Sequence, residues 1–184
     1  MHPIETERLR LRHFRASDAE ALFAYLQAPV SSCFLSLKLP DLAAAQAEAG
    51  KRGGDEAQIA VALKDSDRLI GDLFAHAEED TYAIGWNFNP AFSGQGYALE
   101  AARALVAHLF ETAGARRLYA YVEEDNLPSR RLCERLGLRH EGTFVDFVSF
   151  TTDAAGQPIY ETTLQYALLR REWSGLPGGS ARPR

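Results

Sequence analysis

The sequence predicts a mixed α+β fold built on one sheet. Three features carry that expectation: short runs that alternate apolar and polar residues, one long stretch with apolar residues at helical spacing, and a link between two central runs too short to hold a crossover helix. The 184 residues are 46% apolar and 24% charged, the balance of a chain that folds by burying a core. At a prior of roughly 150 residues per domain, residues 1–173 make a single domain.

From 7 to 13, Leu9 and Leu11 alternate with Arg8, Arg10 and Arg12, a half-buried strand whose arginines read as a solvated face. Ser17 or Asp18 then caps a helix that buries Ala21, Leu22, Tyr25 and Leu26 and closes at Pro29. Asp41 caps a second helix, 41–49, which ends toward Gly50, with Gly53 and Gly54 in the turn that follows. Runs at 57–64, 68–76 and 81–88 form an antiparallel meander, because Asp65-Ser66-Asp67 leaves room only for a turn. The strongest helix, 97–113, aligns Leu99, Ala102, Leu105, Val106, Leu109 and Phe110 and stops at Gly114. A strand at 117–123, a short helix opened by Asn126 and Pro128, and a last strand pair at 138–150 and 159–169 bring the count to seven strands and four helices. Residues 174–184 (SGLPGGSARPR) have too little to bury and read as a disordered tail.

Several classes of function are disfavoured. A net charge of -5 offers no general attraction for nucleic acid or an anionic membrane. Cys33 and Cys133 stand far apart without a Cys/His cluster, so neither a disulfide framework nor a metal site is signalled. No uncharged apolar run approaches the ~18 residues of a membrane span, and the N-terminus is charged from Glu5 onward, unlike a signal peptide. A cytoplasmic setting fits these features.

The sharpest motif is Ser93-Gly94-Gln95-Gly96-Tyr97-Ala98, between a strand and the long helix. Glycines there let a ligand approach the backbone, and the first amides of a helix lack intrahelical partners, so the turn suits phosphate oxygens. A P-loop would need Lys and Ser/Thr where Tyr97 and Ala98 stand, and a dinucleotide fingerprint would need a small residue at Leu99. Without further context, a tight turn with close packing explains the glycines as well as a ligand does.

In its surroundings the stretch resembles the pyrophosphate motif of the GCN5-related N-acetyltransferase (GNAT) superfamily, Gln/Arg-x-x-Gly-x-Gly/Ala, with Gly96 and Ala98 on the last two positions and Ser93 in place of Gln/Arg. Thr6-Glu7-Arg8-Leu9-Arg10-Leu11-Arg12, Gly94 to Ala101, Asn126-Leu127-Pro128-Ser129, Gly137 to Gly142 and the closing Glu172-Trp173 make the chain similar to the RimJ/RimL branch, from about Thr6 to Trp173. The resemblance implies a twisted, mostly antiparallel sheet whose fourth and fifth strands, 81–88 and 117–123, splay to admit acetyl-CoA as cosubstrate, with an amine as acceptor. It further implies that the backbone of Trp86, Asn87 and Phe88 pairs with the pantetheine and that the amides of Gly94, Gln95, Gly96, Tyr97 and Ala98 hold the pyrophosphate. By the same resemblance Asn126 meets the pantetheine and the Ser129 hydroxyl lies near the sulfur as proton donor; on residue type alone, both could simply open a helix.

The base is less marked. Glu123, Glu124 and Asp125 end a strand near the expected cleft, where a solvated acidic turn is the simpler reading. Ribosomal-protein acetyltransferases of the branch carry a carboxylate at the position aligned with Val148, which leaves Asp146, two residues earlier, as the substitute base. Tyr97, Tyr119 and Tyr121 read as core more readily than as shaping the cleft, Cys133 as packing, and Arg130 and Arg131 as partners for a CoA phosphate. Residues 30–40 are expected to wall the acceptor side or form a homodimer contact. The rival to an acetyltransferase is a non-catalytic CoA-binding module of the same fold, motivated by Ser93 and Val148.

Overall fold

The computed structural model describes residues 2–173, so the tail expected at 174–184 lies outside the described residues. In chain order the elements are β1 (Ile4–Glu5), β2 (Leu9–Arg12), α1 (Ala19–Leu26), α2 (Leu42–Gly53), β3 (Gln58–Leu63), β4 (Leu69–Glu78), β5 (Thr81–Phe88), α3 (Tyr97–Glu111), β6 (Arg117–Glu123), α4 (Leu127–Arg135), β7 (Arg139–Thr152), β8 (Pro158–Leu169) and the one-turn α5 (Arg170–Trp173). The eight strands form one sheet in the order β1-β2-β3-β4-β5-β6-β8-β7. All neighbours are antiparallel except β5 and β6, which α3 joins as a crossover. The sequence missed the two-residue β1, the single turn of α5 and the 3-10 turn over Ser32–Leu37. All are too short to show periodicity.

The sheet separates two apolar layers. On one face the α3 stripe of Ala102, Leu105, Val106, Leu109 and Phe110 joins Leu132 and Cys133 of α4 against Leu9, Leu11, Val61, Leu73 and Leu118. On the other, Leu22, Tyr25 and Leu26 of α1 pack with Ala45 and Ala49 of α2 against Phe14, Ala60 and Leu69. Asp41 caps α2 as expected, accepting from the Ala44 amide at 2.8 Å, but the helix runs on to Gly53, because Ala45, Ala49 and Arg52 are all buried.

Two expectations near the N-terminus need correction. Arg12 does not solvate a strand face: it is 3% exposed and grips Asp18 with two 2.8 Å hydrogen bonds. Asp18 in turn makes no side-chain cap on α1; it accepts from Arg12 and, at 2.8 Å, from the Arg15 amide. A second buried polar group lies beneath α1, where the Tyr25 hydroxyl donates to Asp72 at 2.6 Å. Arg52 lies 3.2 Å from Asp72 as an ion pair without hydrogen-bond geometry, and it donates to Glu48 at 2.8 Å. Burial holds the Asp72 carboxyl above its ordinary range, while Arg52 and Tyr25 pull it back.

The feature that positions the site is the parting of β5 from β6. They pair only from Thr81–Arg117 to Ala83–Tyr119. Beyond this point β5 keeps β4 as partner through Phe88, and β6 keeps β8 through Glu123. Each strand therefore turns an unpaired edge of backbone N–H and C=O groups into the gap between them.

Candidate active site

The gap opens into a cavity of about 850 Å³ between β5, the head of α3, α4 and the segment joining α1 to α2. Of the ten residues proposed from sequence to hold CoA, Trp86, Asn87, Phe88, Gly94, Gly96, Tyr97, Ala98, Asn126 and Ser129 line it. Gln95 does not; its carbonyl accepts from Arg8 Nη1 at 3.0 Å.

The turn entering α3 takes its shape from glycine. Gly94 and Gly96 have φ of 75° and 82°, a region costly for residues with a Cβ, and Gly96 caps the helix. Glu100 N–H donates to the Gly96 carbonyl at 3.1 Å, so the amides of Tyr97, Ala98 and Leu99 have no partner within the helix. This turn is braced from β2. Arg8 lies 4.4 Å over the Tyr97 ring, and Glu100 accepts from Thr6 Oγ1 at 2.6 Å, Arg8 N at 2.9 Å and Arg8 Nε at 2.7 Å. The Thr6-Glu7-Arg8 motif at the chain start thus fastens the head of the longest helix.

Burial would raise the Glu100 carboxyl, but the hydrogen bonds from Thr6 and Arg8 outweigh it and hold the group below the ordinary value of 4.5. A folded value below the unfolded one gives stabilisation that is whole above the unfolded value and is lost as pH falls through the folded value. Glu100→Gln should therefore cost about 1–2 kcal/mol near neutrality. The gap in melting temperature between wild type and variant should close as the pH is lowered below 4.5; a gap independent of pH would refute this bracing role.

Across the cleft, Asn126 and Ser129 occupy the first turn of α4. Asn126 Oδ1 accepts from the Ser129 amide at 3.2 Å, and its Nδ2 donates to Ser31 Oγ at 3.1 Å and to Glu123 Oε2 at 3.4 Å. The Trp86 indole spans the gap from β5 and donates to Ser129 Oγ at 3.1 Å. With a lone pair of Oγ engaged by the indole, the hydroxyl proton of Ser129 is free to point into the cleft.

The two ends of the cavity differ in charge. Arg131 and Arg135, one turn apart on α4, line it and make no ion pair with any described carboxylate. Arg130, the other candidate phosphate partner, donates instead to the Glu124 carbonyl at 2.8 Å. At the opposite end stand Glu123, Asp125 and Glu161, with no described cation in ion-pair range. Val30, Ser31, Ser32, Phe34 and Leu35, from the 30–40 segment, wall this end. Ser32 Oγ donates to Glu161 Oε2 at 2.6 Å, so Ser31 and Ser32 fasten the wall to α4 and β8 respectively. Sequence reasoning missed Glu161 and Arg135; the first meets Ser32 through strand placement and a 3-10 turn that no periodicity marks.

Asp146 is displaced from the role expected of it. It is exposed, has φ of 49°, and sits where β7 shifts register between Phe144 and Val148; the bulge breaks the alternation on which its candidacy rested. It is not among the residues lining the cavity. Val148 is the cross-strand partner of Glu161. Tyr121 is likewise not core: it is 49% exposed and contacts Phe144 and Phe147 with ring centroids 6.0 and 5.9 Å away. Cys133 is fully buried, and burial pushes its thiol up to about 12; burial and Glu123 raise the Cys33 thiol further. Neither is poised as a nucleophile. Among the described residues no group of three or more His, Cys, Asp or Glu could hold a metal ion. Nor is any described helix long and apolar enough to cross a membrane.

The chain and its fold have counterparts among known proteins. The family model described as "Acetyltransferase (GNAT) domain" matches residues 8–139. The chain is 33% identical to the "Uncharacterized N-acetyltransferase YnaD" of Bacillus subtilis (strain 168), over 95% of this chain and 100% of that protein. It is 35% identical to the "FsC-acetyl coenzyme A-N(2)-transacetylase" of Aspergillus fumigatus, over 51% of this chain and 38% of that protein. The crystal structure of an acetyltransferase (GNAT family) from Bacillus anthracis superposes with a TM-score of 0.83 at 28% identity, covering 92% of this chain and 99% of the other. A sheet parted between β5 and β6, a glycine turn heading the crossover helix and a matching family model over most of the chain make this protein a member of the GNAT acetyltransferase family.

Proposed function

We propose that this acetyltransferase takes its acetyl group from acetyl-CoA and passes it directly to a primary amine, at a protein N-terminus or on a small molecule. The observation that carries the reading is the open edge of β5 ending on the positive-φ turn of Gly94 and Gly96. Amides of a pantetheine arm suit the unpaired backbone of Trp86 to Phe88, as an added strand suits a sheet edge. Diphosphate oxygens suit the partnerless amides at the head of α3, with Arg131 and Arg135 adding positive charge on the same cavity. The acetyl coenzyme A in the name of the Aspergillus relative and the motifs shared with the RimJ/RimL branch support the same donor.

Direct transfer needs an oriented amine and a proton for the departing sulfur. Ser129 is the proton donor in this reading: Trp86 fixes its oxygen and leaves its proton free. The raised thiols of Cys33 and Cys133 argue against a covalent acetyl-enzyme. The test is CoA binding by calorimetry together with thiol release from acetyl-CoA across a panel of amines. Ser129→Ala should lower kcat about 100-fold while CoA affinity stays within about threefold. Binding without thiol release on any amine would identify a CoA-binding module instead, and no binding would remove the reading altogether.

A further inference from the structure

We propose that Glu161 is the carboxylate that receives the acceptor's ammonium group and takes its proton, and that it selects amines carrying no carboxylate of their own. This rests on the acetyl-CoA reading above and adds the acceptor's side of the reaction. Three carboxylates line the acceptor end of the cavity, and their surroundings separate them. Glu123 is 7% exposed and already engaged by Asn126 Nδ2 and the Cys33 thiol. Asp125 lies exposed on the turn before α4. Glu161 is half-buried on β8; one oxygen accepts from Ser32 and the other, Oε1, has no partner among the described residues. A free carboxylate oxygen on a cavity wall, without a cation to neutralise it, is suited to a cationic ligand group.

The groups around it reinforce the choice. The wall segment contributes Ser32 and Cys33, β6 contributes Glu123, and β7 places Val148 directly opposite. None of these is a cation, and a second carboxylate arriving with the acceptor would meet Glu123 and Glu161 at close range. Ser32 is a positioning residue: its hydroxyl holds Oε2 of a side chain that lines the cavity, while Oε1 has no partner among the described residues. Glu161 lies beyond residues 8–139, which the family model spans, so its role belongs to the last hairpin of this chain.

The proton balance closes. Glu161 takes one proton from the ammonium and returns it to solvent after turnover. The neutral nitrogen forms the C–N bond with the acetyl carbon and the C–S bond breaks. The sulfur takes the Ser129 hydroxyl proton, and Ser129 is replenished by the second proton that the nitrogen sheds.

The experiment compares wild type, Glu161→Gln and the exposed control Glu124→Gln on alaninamide, alanine and spermidine, following thiol release against pH and CoA binding by calorimetry. Wild type should prefer alaninamide to alanine. Glu161→Gln should lower kcat/KM on alaninamide about 100-fold near neutrality, recover part of it as rising pH deprotonates the free amine, and narrow the alaninamide-to-alanine ratio about tenfold. Its CoA affinity should be unchanged, and Glu124→Gln should behave as wild type. A Glu161→Gln protein within about threefold of wild type at every pH, or a wild type that favours alanine, overturns the assignment while leaving the acetyltransferase reading intact. A wild type that binds CoA but acetylates none of the amines overturns both.

Discussion

Arg12→Met should destabilise the fold by about 3–5 kcal/mol, the cost of leaving a buried charge without its partner, and lower the melting temperature by about 10 °C. All five N–H donors of the Arg12 guanidinium are used: two on Asp18, one each on the Asp67 side chain and carbonyl, and one on the His13 carbonyl. Removing it strands the Asp18 carboxylate at 4% exposure and releases Asp67, whose positive φ of 55° shapes the β3–β4 turn. Asp18→Leu alone should cost less, because Arg12 keeps Asp67 and the His13 carbonyl. The Arg12→Met, Asp18→Leu double variant should recover part of the loss, since an apolar pair of similar volume avoids burying either charge. Thermal melts of the three proteins decide it; an Arg12→Met protein melting within about 2 °C of wild type would show that solvent reaches the pair.

Arg12 also shows where the sequence stops being informative. Alternation of Leu9 and Leu11 with arginines marks a strand correctly, but not whether its polar face meets water or α1. The meander, α3 and β6 were legible because each is a run long enough to show the spacing of its buried residues. The part of the cavity proposed to take CoA was legible for a related reason. Its parts are contiguous in sequence, the end of β5 with the glycine turn and the first turn of α4, so a motif read along the chain recovers them. The end proposed to take the acceptor is assembled from residues far apart: Ser32 meets Glu161 across 129 positions and Ser31 meets Asn126 across 95. Those meetings are set by the path of the segment joining α1 to α2, by its 3-10 turn over Ser32–Leu37 and by the placement of β8. The bulge that shifts β7 between Phe144 and Val148 is also what defeats the inference of Asp146 from its alternation with Val148.

Gly96→Val should weaken CoA binding about 1,000-fold, on the reading that the head of α3 holds the diphosphate. Space is not the obstacle, for a Cβ at Gly96 would have only Arg8 Nη2 near it, at 3.5 Å. The obstacle is conformation: φ of 82° is an outlier for a β-branched residue, and the chain relieves it by rotating the turn. Rotation swings the Tyr97 and Ala98 amides away from the direction the glycine turn gives them. Losing two hydrogen bonds to a charged group at about 1.5–3 kcal/mol each accounts for an effect of that size. Gly114→Val supplies the control. Gly114 has a φ of 79° and nothing within 4 Å of a Cβ, but it lies beyond the far end of α3. Both variants should lose about 1–3 kcal/mol of stability from the same backbone strain, while only Gly96→Val should lose CoA. Equal losses of affinity in the two would mean that strain loosens the helix as a whole; no loss in either would mean that the diphosphate is held elsewhere.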